Sequence, residues 1–175
     1  MTMDARSAFV GAGANRGERL ANLRRAARHL AAGDAVSNLE ASPVYETEAH
    51  TPDPDDDAPP YLNAVLRLRT TLSPEALLDA CQSIEREAGR NREGEKRWGA
   101  RPLDLDLLAV GEAQRQTERL TLPHPRLAGR RFVLRPWANL APQFEVPAPF
   151  EATVADLLRR CRDVHDLRRT EYTLL

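Results

Sequence analysis

Two aspartates and two arginines fall within the twelve residues Arg97-Trp98-Gly99-Ala100-Arg101-Pro102-Leu103-Asp104-Leu105-Asp106-Leu107-Leu108. From Leu103 onward apolar and acidic residues alternate, and in an extended strand residues two apart share a face. Leu103, Leu105 and Leu107 then face a core, while Asp104 and Asp106 stand side by side on the other face with Cα atoms about 6.5–7 Å apart. Carboxylates held that close repel each other. Such a pair is either a solvated strand face or a site whose charge a ligand neutralises. Arginines just upstream favour the site, because Mg²⁺ and phosphate oxygens satisfy an acidic pair and guanidinium groups together.

The arginine run begins earlier. Arg90, Arg92, Lys96, Arg97 and Arg101 are set against Glu93 and Glu95, with Gly94 and Gly99 between them. A charge run of this kind is commonly just solvated, but Trp98 inside it needs something to cover, which favours a phosphate clamp that closes over substrate. A second candidate face comes from residues 61–69. Leu62, Ala64, Leu66 and Leu68 form one apolar side of a strand, so Tyr61 and Asn63 emerge on the opposite one.

The elements that must position these groups are legible from periodicity and punctuation. Residues 7–14 read as a buried strand that turns sharply at Gly13-Ala14-Asn15 into a helix, with Asn15 as N-cap, Glu18 completing a box-like arrangement, and Leu20, Leu23, Ala27 and Leu30 at helical spacing up to Gly33. A second strand over 35–47 is interrupted near Pro43. Residues 48–60, rich in proline and aspartate, read as a long mobile loop, either functional or a solvated acidic insert. Ser73 as N-cap and Pro74 at the first helical position start another helix with Leu77, Cys81, Ile84 and Ala88 on its buried stripe and Gly89 as its stop. Residues 114–121 read as a return strand and Leu122-Pro123-His124-Pro125 as a rigid turn. Residues 154–160 read as a helix, while 162–175 carry no clear signal.

At 175 residues, 42% apolar and 29% charged, the chain fits a single domain spanning 1–175 with its own core. A net charge of −1 gives no electrostatic reason to expect nucleic acid or an anionic membrane. Cys81 and Cys161 lack metal-type or C-x-x-C spacing and read as reduced structural residues. Neither a leader pattern nor a membrane-length apolar run is legible, so the expectation is a cytoplasmic protein, acting as a monomer.

Arg97, Gly99, Ala100, Arg101, Asp104, Leu105, Asp106, Leu107 and Leu108 together resemble the signature of the 6-hydroxymethyl-7,8-dihydropterin pyrophosphokinases, and the likeness extends from Gly13 to about Pro142. Gly13-Ala14-Asn15 stands where that family usually shows Gly-Ser-Asn, and Glu48 where a proline is common. The resemblance implies transfer of a pyrophosphoryl group from ATP to the hydroxymethyl group of a reduced pterin, releasing AMP, in folate biosynthesis. It implies two Mg²⁺ ions on Asp104 and Asp106, with Arg90, Arg92, Arg97 and Arg101 on the phosphates. Thr47, Tyr61, Asn63, Trp98 and Phe132 are then expected at the pterin, Tyr61 and Phe132 sandwiching the flat ring. Gln82, Glu85, Arg92, Leu107, Arg119, Thr121, His124 and Arg130 are expected at the nucleotide.

The order strand, helix, strand, strand, helix, strand is that of a ferredoxin-like α+β sandwich (βαββαβ), an antiparallel sheet with helices on one face and the active site on the other. Mobile segments are expected at 48–60 and 90–102. Two other readings remain open at this level. One is an ADP-forming kinase of another small alcohol; the other is a non-enzymatic nucleotide- or RNA-binding domain, against which the chain lacks a glycine-aromatic base-stacking motif.

Overall fold

The computed structural model describes residues 4–48, 59–90 and 100–175. Strand β1 (Arg6–Ala14) runs through the middle of an antiparallel sheet, between β4 (Tyr61–Thr70) on one side and β5 (Asp104–Val110) on the other. Both β2 (Val36–Ala41) and β3 (Tyr45–Thr47) pair with β4, one after the other. The interruption expected at Pro43 lies between them. There the Ser42 hydroxyl accepts the Val65 amide at 2.9 Å and the Ser42 amide donates to the Val65 carbonyl at 2.9 Å, so no ladder group is lost where the proline cannot donate. The outermost strand is β10 (Leu167–Arg169), paired with β3, which gives the order β10-β3-β4-β1-β5 with β2 beside β4.

Helices α1 (Arg19–Ala31) and α2 (Pro74–Glu87) cover one face, as the alternation requires. Leu62, Ala64, Leu66, Leu68, Leu105 and Leu107 of the sheet are buried against Leu23, Ala27 and Leu30 of α1 and Leu77, Cys81 and Ile84 of α2. Ser73 caps α2 through its hydroxyl, which accepts the Ala76 amide at 3.1 Å, and Gly89 at φ +88° ends it. The start of α1 departs from expectation. Its N-cap is Glu18, with no side-chain cap bond, because the Asn15 side chain is drawn away to Pro59 and Arg101.

The opposite face is half covered, which periodicity alone does not reveal. Helices α3 (Arg131–Leu140) and α4 (Val154–Arg160) lie over it, burying Phe9, Val65, Leu108 and Ala109 with Val133, Leu134, Trp137 and Leu157. A register shift between Phe9 and Val10 makes this possible: it leaves Leu108 as an extra residue in β5, so that Leu107 faces the first core while Leu108 and Ala109 belong to the second. In place of the return strand expected over 114–121 there are two two-residue strands, β6 (Arg115–Gln116) and β7 (Thr121–Leu122), which pair with each other and not with the main sheet. Another two-residue pair, β8 (Glu145–Val146) and β9 (Ala152–Thr153), precedes α4. The segment 162–175, unreadable in the sequence, contains β10 and plants Leu174 in the first core.

Trp137 is fully buried, its ring 5.1 Å from that of Phe9 and 5.9 Å from that of Phe144. Trp137→Ala should therefore cost about 3–5 kcal/mol, whereas Ser73→Ala, which removes one cap, should cost about 1 kcal/mol. Urea denaturation midpoints compare the two; equal losses would contradict this division of the core.

Candidate active site

Where α3 and α4 stop, the sheet face is bare, and the strands deliver polar side chains to it in lateral rows. Tyr45, Asn63, Gly13 and Asp104 are consecutive cross-strand partners, as are Gly11 and Asp106 one step along. The two glycines form the floor. A Cβ at Gly13 would lie 2.9 Å from the Asn63 Oδ1 and only 3.6 Å from Tyr61, so this position must stay bare for Asn63 to keep its place. A cleft of about 670 Å³ opens above, lined by Thr47, Tyr61, Asn63, Arg101, Asp104, Asp106, Arg130 and Phe132, with the Arg130 guanidinium 5.7 Å from the centre of the Phe132 ring.

Each carboxylate has its own set of cations. Arg90, only 5% exposed at its side chain, donates through Nη1 to Glu85 Oε1 at 2.6 Å and to Asp104 Oδ1 at 2.5 Å. Arg101 Nη1 reaches Asp104 Oδ2 at 3.1 Å. Burial alone would raise the Asp104 pKa, but Arg90 and Arg101 outweigh it and hold the carboxyl below its usual range. Asp106 has less help: Arg130 Nη1 stands 3.4 Å and His124 Nε2 3.9 Å from its Oδ2. Burial first and the neighbouring Asp104 second push Asp106 up to about 6. Burial, with Arg130 and Arg126 nearby, pushes His124 down to about 4, so the imidazole is neutral at pH 7 and does not neutralise Asp106.

Supporting contacts tie these groups to the fold. Glu85, 1% exposed on α2, accepts the Leu105 amide at 2.7 Å as well as Arg90, and so fixes the start of β5 and the arginine beside it in one contact. The His124 amide donates to the Leu108 carbonyl at 2.9 Å, holding the Pro-His-Pro turn at the bulge. Asn15, 2% exposed, accepts the Arg101 amide at 2.6 Å through Oδ1 and donates Nδ2 to the Pro59 carbonyl at 3.2 Å. Asn63 donates Nδ2 to the Thr47 hydroxyl at 2.8 Å, which orients the amide at the cleft floor.

Of the residues expected at the site, Thr47, Tyr61, Asn63, Arg101, Asp104, Asp106, Arg130 and Phe132 line the cleft, with Arg90 directly behind Asp104. His124 stands beside Asp106. Glu85 is part of the support beneath, and the Leu107 side chain is buried in the first core. Gln82 lies half-buried on α2, Thr121 is paired in β7, and the exposed Arg119 pairs with Asp79 on α2; none of these three lines the cleft. Arg92, Arg97 and Trp98 lie outside the described residues, as do positions 49–58 of the acidic segment. Sequence reasoning missed Gly11, Glu48 and Arg126 as cleft residues and gave Gly13 only a turn. The signal for the glycines was present: in a strand, G-x-G puts two bare positions on one face.

The donor set fits Mg²⁺. Among the described residues no group of three or more His, Cys, Asp or Glu side chains forms a closed cage, and Mg²⁺ characteristically takes one or two carboxylates and completes its shell with water and phosphate oxygens. Asp106, short of positive charge, is the carboxylate such an ion would relieve.

A family model for 7,8-dihydro-6-hydroxymethylpterin-pyrophosphokinase (HPPK) matches residues 9–142. The chain belongs to the HPPK family. It is 42% identical over 139 residues to the 2-amino-4-hydroxy-6-hydroxymethyldihydropteridine pyrophosphokinase of Methylorubrum extorquens, covering 79% of this chain and 85% of that one. Its identity to the Bacillus subtilis protein of the same name is 40% over 141 residues, 81% of each chain. In fold it resembles the Plasmodium falciparum HPPK-DHPS crystal structure with pteroate, at TM-score 0.64 and 12% identity, over 89% of this chain but only 43% of that longer one. The HPPK family's usual Gly-Ser-Asn serine is here Ala14, which is fully buried in the first core.

Two predictions test this geometry. Gly13→Ala should displace the Asn63 amide and weaken occupancy of that end of the cleft at least tenfold, read by titration with a pterin, with little change in nucleotide binding. Asp106→Asn tests the acidic pair. A carboxyl whose folded pKa is raised from 3.8 to about 6 costs the ligand-free protein stability as pH rises through that interval, and the cost is complete above it. Discounted for its 36% exposed side chain, the cost is about 1–2 kcal/mol. Asp106→Asn should thus be more stable than the parent at pH 8 by that amount and lose the advantage below about pH 4; thermal melts across pH decide it.

Proposed function

We infer that this protein transfers the pyrophosphoryl group of ATP to the hydroxymethyl group of 6-hydroxymethyl-7,8-dihydropterin, giving the pterin diphosphate and AMP, in folate biosynthesis. The observation that carries this reading is the polarity of one cleft. A flat-ring end with an oriented amide lies next to an acidic pair flanked by arginines, the arrangement needed to bring an alcohol on a heterocycle to a triphosphate.

At the ring end, Asn63 and Thr47 supply hydrogen-bonding groups for an amide-edged heterocycle, with Tyr61 and Phe132 as its aromatic walls. Because the Thr47 oxygen already accepts from Asn63, its hydroxyl hydrogen is available to donate into the cleft. Asp104 and Asp106 would hold two Mg²⁺ ions, which would supply charge neutralisation for the phosphates. Arg90, fixed by Glu85 behind Asp104, holds that carboxylate in place, while Arg101 and Arg130 flank the pair from within the cleft. Phosphoryl-type transfer asks the protein mainly for positioning and electrostatic stabilisation, and preoriented arginines provide both without rearranging during the reaction. His124, neutral beside Asp106, offers hydrogen bonding to a phosphate oxygen without a permanent charge. We propose that the protein acts as a monomer in the cytoplasm; among the described residues no helix is long and apolar enough to cross a membrane.

The test is incubation with Mg²⁺, ATP and the reduced pterin, followed by separation of nucleotides. AMP formed only with pterin present is expected; ADP would mean ordinary phosphoryl transfer, and no nucleotide product would overturn the reading. Asp104→Ala and Asp106→Ala should each lower kcat by at least about 100-fold while circular dichroism shows the fold retained. Full activity in either variant would refute the metal assignment.

A further inference from the structure

The strand that carries Thr47 is very short. With three residues and one neighbour, β4, β3 would be a marginal edge strand from which the chain runs directly into the segment after Glu48. It is not left as an edge. Strand β10, beyond the stretch that the HPPK family model matches, pairs with it residue for residue: Leu167 opposite Thr47, Arg168 opposite Glu46 and Arg169 opposite Tyr45. Since directly opposed residues of an antiparallel pair share a face, Leu167 is the lateral neighbour of Thr47 on the cleft side. Thr170 continues the contact, donating both its amide (2.9 Å) and its hydroxyl (2.8 Å) to the Val44 carbonyl.

On the reverse face Arg168 bonds one oxygen of Glu46 at 2.5 Å while Arg19 bonds the other at 3.1 Å; Arg19 also donates to the Pro60 carbonyl at 2.7 Å. The two chain positions flanking the acidic segment are thus tied to one another through Arg19, and to the tail through Glu46. The tail is itself anchored beyond β10: the Thr173 carbonyl accepts from Arg24 Nε at 2.8 Å and Leu174 is buried in the first core. Exposed ion pairs contribute little singly. The weight therefore falls on the backbone pairing and the two Thr170 bonds.

We propose that the C-terminal strand β10 and Thr170 are positioning elements for the pterin end of the cleft, holding β3 so that the Thr47 hydroxyl stays in register with Asn63 and both meet the heterocycle. This rests on the assignment of Thr47 and Asn63 to the pterin. The pairing of β10 and the Thr170 bonds run to β3 and to Val44 just before it, which places their influence at the Thr47 side of the cleft. A tail that served only overall stability would change folding without separating the two substrates.

The test uses the full chain with Thr170→Pro, which lacks both donors to Val44, and Thr170→Val, which retains the amide and the shape. Binding of 6-hydroxymethyl-7,8-dihydropterin in the presence of a non-hydrolysable ATP analogue, and of the analogue alone, is followed by calorimetry, alongside steady-state KM values. Thr170→Pro is expected to weaken pterin binding and raise its KM about tenfold, and Thr170→Val to restore most of that loss. Nucleotide affinity should change less than twofold in both. Equal pterin affinity in parent and Thr170→Pro, or parallel losses for both ligands, would overturn the proposal. As a second arm, Leu167→Gly keeps the backbone pairing but strips the neighbour of Thr47; an unchanged pterin affinity there together with an unfolded Thr170→Pro would also overturn it. Failure of the parent protein to bind pterin at all would instead count against the activity itself, so the two ideas fail by different results.

Discussion

The site depends on keeping two carboxylates adjacent on one strand without letting them repel each other out of position. Asp104 and Asp106 occupy alternate positions on the bare face of β5, and each is met by guanidinium groups from a different part of the chain: Arg90 and Arg101 at one, Arg130 at the other. Guanidinium groups are bulky, costly to bury and useful only when aimed, so the aiming has become a structural task. Glu85 performs it for Arg90, Asn15 fixes the backbone of Arg101, and the turn at His124, pinned to Leu108, leads into the segment that delivers Arg130. Buried charge pairs contribute little net stability once desolvation is counted. Their value here lies in geometry, since a pre-aimed arginine need not reorganise when charge develops nearby.

The second constraint is how much of a sheet face to cover. An antiparallel sheet with helices on a single side leaves a large face to water, too flat to hold a small ligand. Here α3 and α4 occupy part of that face, over Phe9, Val65, Leu108 and Ala109, and the end of that cover becomes the wall from which Phe132 and Arg130 reach the cleft. The uncovered part is floored by Gly11 and Gly13 in the central strand, where larger side chains would fill the cleft and, at Gly13, meet the Asn63 amide. The bulge at Leu108 links these features: it turns one extra apolar residue toward the helices at the point where the strand stops presenting acids.

Much of this was legible beforehand because it follows from local rules. The period of two in Leu103 to Leu107 and in Tyr61 to Leu68 assigned each face correctly, Ser73-Pro74 marked a helix start, Gly89 its end, and residues 154–160 formed the expected helix. What escaped was decided by partners far away in sequence. Asn15 has every local credential of a helix cap, yet its side chain is engaged by Arg101, 86 residues on. A buried amide that satisfies two distant backbone groups outweighs a cap exposed to water. The residues at 114–121 have strand-like composition but pair only with each other, β6 against β7, and leave the outer edge of β5 without a ladder partner among the described residues. The tail after 162 carries no periodic pattern because β10 is only three residues long and its register is set by β3.

The arginines are not shared equally, and the imbalance is informative. Asp104 is held below its usual range by two close partners that outweigh its burial, while Asp106, nearly as enclosed, has among the described residues a guanidinium at 3.4 Å and a neutral imidazole at 3.9 Å. A carboxylate raised in this way costs the ligand-free protein stability at neutral pH, and any cation that bound beside it would offset that cost, linking binding and folding in the same direction. Among the described residues Asp104 is thus held by two guanidinium groups and Asp106 by one. Division of labour between two chemically identical residues thus comes from their neighbours alone, and those neighbours are set by α2, the Pro-His-Pro turn and the start of α3.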